Sequence, residues 1–399
     1  MHRSTYLVIG AGMAADAAVH GIREIDPEGV ITMVGAEFDP PYRRPLLSKG
    51  LWHGKPFDNV WSGTEKAGAE LRLGREIRRL ELGAHQAIDD RGETYRYDTL
   101  LLATGSRPRH LPVGGHLAIN FRTLQDYRRL RELADHKQRI AVIGGGFIGS
   151  EITASLAASG KTVTMIIPHA TIGERIFPLE LGRFLNDYYR DKGVTLMTGQ
   201  RVEDLRKDGD EYVLHLRNVD NGEMQEIAVD GVVAGIGAQP NVELAQAAGL
   251  AVDQGILVDE LLRTSHPDVY AAGDNAAFWQ PALGERRRVE HEDNAKMMGR
   301  IAGRNMAGRA ELYVYLPYFY SDLFDLGYEA VGEVDARLDT VADWEEPYKK
   351  GAIYYLRDNR VRGVLLWNVW DRVEAARALI TSAEPISAGA LNGRMLAAV

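Results

Sequence analysis

Hydrophobic positions along the chain fall into a succession that occurs twice. Tyr6–Ile9 is a short apolar run that predicts a buried strand, and the residues from Met13 through Arg23 follow a helical period. A second apolar run, "VITMVG", follows. The same order returns with "RIAVI", the helical stretch "SEITASLAASG" and the run "TVTMII". Two later strand signals also match, "LLATG" ending at Gly105 and "VVAGIG" ending at Gly237. The spans from Gly10 to Gly105 and from Gly144 to Gly237 are nearly equal. From about residue 313 the pattern changes: "YVYLPYFYSDLFDLGYEAVGEVD" and "GAIYYLRDNRVRGVLLWNVWDR" are rich in aromatic and β-branched residues between turn signals, which predicts an antiparallel sheet. "DRVEAARALITSA" then reads as an amphipathic helix. A helix is also expected over Glu292–Met306, and another directly after the strand that ends at Ala272.

Glycines at the strand–helix junctions give these repeats a chemistry. Gly10, Gly12, Ala14 and Ala15 form G-x-G-x-x-A, and Gly144, Gly146, Phe147, Ile148 and Gly149 form G-x-G-x-x-G. In this motif the first glycine permits a tight turn and the second lets backbone approach a pyrophosphate. The third small residue lets helix and strand pack closely, and the helix N-terminus presents unpaired N–H groups to phosphate. Glu37, just past the second strand of the first copy, can hold a ribose hydroxyl pair. The second copy has no acid there, only Pro168 and His169, so the choice between NADH and NADPH stays open, with Arg175 as the nearest cation. Two dinucleotide sites imply FAD in the first domain, NADH or NADPH in the second, and hydride transfer between stacked rings. The expected fold class is α/β: two Rossmann-like domains, the second inserted in the first, plus a C-terminal α+β domain with an antiparallel sheet. The expected boundaries are 1–110 and 231–312 for FAD, 111–230 for NAD(P)H, and 313–399 for the C-terminal domain.

Composition narrows the outlet for the electrons. The 399 residues contain no cysteine, so this chain carries no redox disulfide, thiolate nucleophile or Cys-ligated cluster. The net charge of −9 argues against general nucleic-acid binding. No apolar run reaches the roughly 18–20 residues that span a bilayer, and the N-terminus enters a strand at once, so the cytoplasm is the expected compartment. No metal-ligand spacing stands out. Asp274, in "YAAGDN", can either accept a bond from a ribityl hydroxyl or cap the expected helix. The Glu292–Met306 helix would direct its positive end at the flavin pyrimidine edge. His291 stands at its start, where a histidine can equally be a packing residue.

Together the motifs "PPYRRPLLSKG", "LLATGSRPR", "IGGGFIGSE", "GIGAQPN", "YAAGD", "RRRVEHEDNA", "FYSDL" and "GVLLWNVWDR" cover almost the whole chain. In their order the chain resembles the FAD-dependent ferredoxin, rubredoxin and putidaredoxin reductases, and within that family most resembles apoptosis-inducing factor. The resemblance implies Arg44 and Lys49 beside the flavin ring, with Lys49 near N5 and paired with Glu151. It implies Ile77 at the adenine, Thr104, Gly105 and Arg109 lining the FAD site, Asp274 on the ribityl chain, and Glu290 and His291 near the nicotinamide or flavin. Tyr320 stands where the family often has Trp and would keep an aromatic face over the flavin, and His169 stands where the family has its NAD-selecting acid. The Lys49–Glu151 pair could also be purely structural. The implied activity is an NAD(P)H-dependent reductase that passes electrons directly to a small iron–sulfur protein. The alternatives are an NAD(P)H oxidase or quinone reductase using a small-molecule oxidant, or a slow redox sensor with ligand-linked homodimerisation.

Overall fold

The computed structural model describes residues 2–382 and 384–396. The chain divides into two compact units. The first comprises Met1–Arg44, Phe57–Arg107 and Gln239–Tyr318; the second comprises Pro45–Pro56, Pro108–Ala238 and Phe319–Val399.

The centre of the first unit is a sheet in the order Ala69–Leu73, Ile31–Gly35, His2–Ile9, Thr94–Leu102, Gln86–Asp89, Ile77–Glu81, with Val269–Ala271 also paired to Thr94–Leu102. The strands around His2–Ile9 run parallel, Ile9 facing Val34 on one side and Leu102 on the other. Leu7, Val8, Leu100 and Leu101 are fully buried, as expected for parallel strands covered on both faces. The helix Met13–Arg23 lies against Glu292–Met306 with almost no side chain between them. A Cβ on Gly299 would come 2.2 Å from the Ala14 carbonyl oxygen, and one on Gly303 would come 2.1 Å from that of Ala18. Gly303→Val should therefore cost about 3 kcal/mol in chemical denaturation through overpacking. Gly83→Ala, where a Cβ meets nothing within 4 Å, should stay within about 0.5 kcal/mol of the parent.

The second unit repeats the parallel core as Thr195–Met197, Thr162–Ile166, Arg139–Ile143, Gly231–Ala234 and Ile119–Asn120. A three-stranded antiparallel meander, Gln200–Asp208, Glu211–Asn218 and Met224–Val229, belongs to the same unit. The C-terminal sheet runs in the order Tyr318–Leu323, Leu326–Gly332, Arg360–Trp367, Lys350–Arg357, Asp339–Glu346, followed by the helix Val373–Ser382. The architecture is thus two dinucleotide-type α/β cores and a C-terminal antiparallel sheet. From Phe319 onward the C-terminal stretch clusters with the second core. Phe177, Leu181 and Tyr189 share one buried cluster with Tyr328, Tyr355 and Trp367.

One expected element is wrong. No helix follows Asp274. Instead Ala276–Gln280 is a strand, parallel to Ile256–Leu257 and antiparallel to Glu285–Arg287. The aromatic content of "AAFWQ" favours this outcome. Phe278 packs edge-on against Tyr313 at 5.0 Å, and the Gln280 amide donates to the Tyr315 carbonyl at 2.7 Å. Asp274 is therefore not a helix cap. Among the described residues, no helix is long and apolar enough to cross a membrane.

Candidate functional site

In the first fingerprint Gly10 takes φ +118°, and a Cβ there would lie 2.0 Å from the Ala103 carbonyl oxygen, so only glycine fits the turn. Gly12 opens the helix without a side-chain cap, and a Cβ on it would face empty space. Ala14 and Ala15 are buried behind it, and a Cβ on Gly273 would come 2.9 Å from the Ala14 side chain. Gly105, at φ +65°, is also open.

Ser106, Asn241, Asn275 and Arg288, which support the expected residues around this opening, went unrecognised in the sequence. Asp274 is buried, and its carboxylate accepts from the Ser106 hydroxyl at 2.7 Å. Thr104 donates to the Asn241 carbonyl at 2.7 Å and accepts from the Asn275 amide at 3.0 Å. Arg288 donates to the Asp274 carbonyl at 3.0 Å and pairs with Glu290. Two buried polar atoms, Asn275 Oδ1 and Arg288 Nε, have no hydrogen-bond partner among the described residues. Groups of this kind ordinarily find a partner, and a polyhydroxyl ligand supplies one.

Glu37 accepts from the Tyr42 hydroxyl at 2.7 Å and from the Arg44 guanidinium at 2.5 Å. Arg44, expected beside the flavin ring, is thus drawn to the acid expected at the ribose. Burial opposes its charge, but Tyr42, Glu37 and Asp274 outweigh that and hold its pKa above the usual arginine range. Ile77 is buried at the start of its strand, its backbone opposite Asp89. His291 is the N-cap residue of Glu292–Met306; its extended backbone offers its carbonyl to the Ala295 N–H at 2.9 Å.

The second fingerprint repeats the first. Gly144 has φ +113°, a Cβ on it would come 2.4 Å from the Gly235 carbonyl oxygen, and one on Gly149 would come 2.0 Å from that of Gly144. Gly146 begins the helix Phe147–Ala158 uncapped, with open space before it. Ile148 lies in the first turn of that helix. Phe147 meets Phe319 edge-to-face at 5.2 Å. Arg109, expected at the FAD site, belongs to the second unit: its backbone N–H donates to the Gly237 carbonyl at 2.9 Å and its Nε to Ala238 at 3.3 Å. His169 Nδ1 lies 2.6 Å from Glu174 Oε2.

The segment "YRRPLLSKG" places Lys49 in the second unit, where it meets Glu151 at 3.2 Å. Both side chains are deeply buried, 11% and 6% exposed. Glu151 also accepts from the Ser48 and Ser321 hydroxyls, each at 2.6 Å. Ser48 is fixed in turn, its carbonyl accepting from Ser155 at 2.8 Å. Lys49 Nζ lies 3.8 Å from the centre of the Tyr320 ring, donates to the Tyr320 carbonyl at 3.3 Å and has Asp322 at 3.8 Å. Burial, followed by the negative charge of Glu151, pushes the Tyr189 and Tyr328 hydroxyls far above the ordinary tyrosine range. Lys49 is the cation that balances this carboxylate. Ser48 and Ser321 were missed because one is a routine loop residue and the other lies far along the chain.

Residues 4–299 match the family model described as pyridine nucleotide-disulphide oxidoreductase. The chain belongs to that family. Residues 302–347 and 342–382 match the C-terminal model of apoptosis-inducing factor, mitochondrion-associated. The ferredoxin–NAD(+) reductase component of the anthranilate 1,2-dioxygenase system of Burkholderia cepacia is 34% identical over 96% of this chain and 95% of its own length. Apoptosis-inducing factor 1 of Dictyostelium discoideum is also 34% identical, over 94% of this chain and 78% of its own. Among solved structures, the covalent putidaredoxin reductase–putidaredoxin complex has a chain that superposes with a TM-score of 0.88 at 29% identity, covering 98% of this chain and 95% of that one. This member of the pyridine nucleotide-disulphide oxidoreductases is an oxidoreductase with FAD and NAD(H) as cofactors. Both fingerprints fit a dinucleotide, with open glycines before uncapped helices and, in the first unit, orphaned buried polar atoms. Unlike its family's name, this chain has no disulphide to offer.

Proposed function

We propose that the protein is an NADH-dependent reductase that hands electrons directly to a small iron–sulfur protein of the ferredoxin or rubredoxin kind. FAD, when bound, would supply the conversion of two-electron hydride chemistry into single-electron transfer. The cysteine-free Lys49 cluster carries this reading. With no cysteine in the chain, no disulphide can relay the electrons; Lys49 supplies charge, not a relay, so the electrons must leave the flavin directly. The first unit would hold FAD through Gly10, Gly12, Glu37, Thr104, Gly105 and Asp274, and the second would hold NADH through Gly144, Gly146, Gly149 and Gly237. Lys49 would stabilise negative charge along the N5–O4 edge of the flavin, as a preorganised cation does where charge develops. Glu151, gripped by two serines, pairs with that ammonium and fixes its direction. Phe147, in the first turn of the second fingerprint's helix, would line the nicotinamide side, and Tyr320, Glu290 and His291 keep the flavin and nicotinamide roles that the resemblance implies. The ferredoxin–NAD(+) reductase relatives and the redoxin complex support the choice of acceptor.

The match to the apoptosis-inducing factor C-terminal model favours a second reading, a slow redox sensor. Stopped-flow reduction with NADH, followed by reoxidation with a ferredoxin, separates the two. Reoxidation at tens per second or faster supports the reductase. A reduced complex lasting minutes in air, with a change of mass on gel filtration, overturns it.

A further inference from the structure

The second fingerprint lacks the acid that normally ends the second strand of a dinucleotide-binding core. That acid accepts hydrogen bonds from the adenosine ribose and repels a 2′-phosphate. In the first core Glu37 follows the strand Ile31–Gly35 and occupies this place. In the second, Thr162–Ile166 is followed by Ile167, Pro168 and His169. A carboxylate is nonetheless present. Glu174 Oε2 lies 2.6 Å from His169 Nδ1.

The loop between the two residues is firmly held. The Gly173 N–H donates to the Gly145 carbonyl at 2.9 Å, which ties the loop to the fingerprint turn itself. The buried Asn186 side chain donates to the Ala170 carbonyl at 2.9 Å and accepts from the Ile172 N–H at 3.0 Å. The Gly199 N–H donates to the His169 carbonyl at 3.1 Å. Both His169 and Glu174 remain open to an incoming ligand, at 47% and 41% side-chain exposure.

We infer that Glu174, positioned by His169, is the coenzyme-selecting carboxylate of this chain and restricts it to the coenzyme without a 2′-phosphate. The inference rests on the assignment of the second fingerprint to the pyridine nucleotide. An imidazole that donates from Nδ1 to Glu174 presents an acceptor at Nε2. The pair therefore offers acceptors to two ribose hydroxyls. A 2′-phosphate is itself an acceptor and an anion, and it would meet a fixed carboxylate. Arg175 is the cation on the same loop that such a phosphate would recruit. Its carbonyl is held by the Ala336 N–H at 2.9 Å.

The test is calorimetric binding of ADP-ribose and of 2′-phospho-ADP-ribose to the oxidised holoenzyme, which reads the adenosine end without turnover. The parent should favour ADP-ribose by roughly 30-fold or more, given the cost of like charges brought together. Glu174→Gln should lower that preference about tenfold. Restoring the acid at the strand end, in Glu174→Gln with His169→Glu, should recover it. Equal binding of the two ligands by the parent, or an unchanged preference in Glu174→Gln, overturns the inference even where Gly146→Val abolishes binding and so upholds the nucleotide site. Should Gly146→Val leave both affinities unaltered, the fingerprint assignment itself fails.

Discussion

A Gly12→Val protein is expected to fold normally and to purify colourless. A Cβ at this position meets no atom of the protein within 4 Å, so the substitution costs the fold little. The added isopropyl group projects instead into the space in front of the uncapped helix, where a pyrophosphate would approach backbone most closely. FAD affinity should fall at least about 100-fold, corresponding to roughly 2.7 kcal/mol. The ratio of flavin to protein absorbance reads the loss, and far-ultraviolet circular dichroism with a melting curve reads the fold. Gly10→Val is the contrasting variant. Its residue would need φ +118° and would press a Cβ to within 2.0 Å of a carbonyl oxygen, so it should lose structure and flavin together. A yellow Gly12→Val protein contradicts the site; a colourless but unfolded one leaves the Gly10 and Gly12 effects alike and contradicts their separation.

Lys49→Met should slow flavin reduction by NADH about 10²- to 10³-fold while FAD stays bound, the effect of deleting one preorganised group at developing charge. It should also destabilise the protein by about 3 kcal/mol, because Glu151 is left buried with two serine hydroxyls and no facing cation. Glu151→Gln should be milder in rate, about tenfold, since Asp322 still stands 3.8 Å from the ammonium. Lys49→Met with Glu151→Leu removes both charges, and stability should return because a buried ion pair is replaceable by apolar residues of similar volume. The rate should not return. This split between denaturation and stopped-flow data separates a flavin-side role from a purely structural pair. A double variant that regains both, or a Lys49→Met protein reduced at the parental rate, assigns the pair to structure alone.

The two fingerprints were legible because sterics dictate their glycines. At Gly10 and Gly144 the neighbouring carbonyl oxygen leaves no space for any side chain, and both backbones lie in the left-handed half of conformational space. The glycine positions therefore appear in the sequence at fixed spacing. The partners of functional groups obey no such spacing. Ser48 and Ser321 both bond to Glu151, and only the folded chain brings them together. Glu174 is only five residues from His169, yet a loop tied by Gly173 and Asn186 was needed to turn its carboxylate back. Arg44 and Arg109 carry motif-based roles at the flavin; within the protein Arg44 bonds Glu37 and Arg109 the Gly237–Ala238 backbone, partners that no spacing announces. The segment after Asp274 misled because of its composition. A glycine–aspartate pair before small residues imitates a helix start, and the aromatic packing that makes it a strand depends on Tyr313 and Tyr315, many residues later.

The discontinuity of the first unit also bears on how the molecule is born. Its opening fingerprint leaves the ribosome early, but Asp274 and the helix that crosses at Gly299 and Gly303 belong to its last segment, Gln239–Tyr318. At about 5–20 residues per second, the intervening stretch alone imposes a delay of roughly 7–26 s. During that interval the nascent sheet lacks the strand Val269–Ala271, and the face of its first helix that carries Ala14 and Ala18 stays uncovered by Gly299 and Gly303. With FAD held by the first unit as proposed, flavin capture should be a late event in biosynthesis, following synthesis of Gln239–Tyr318.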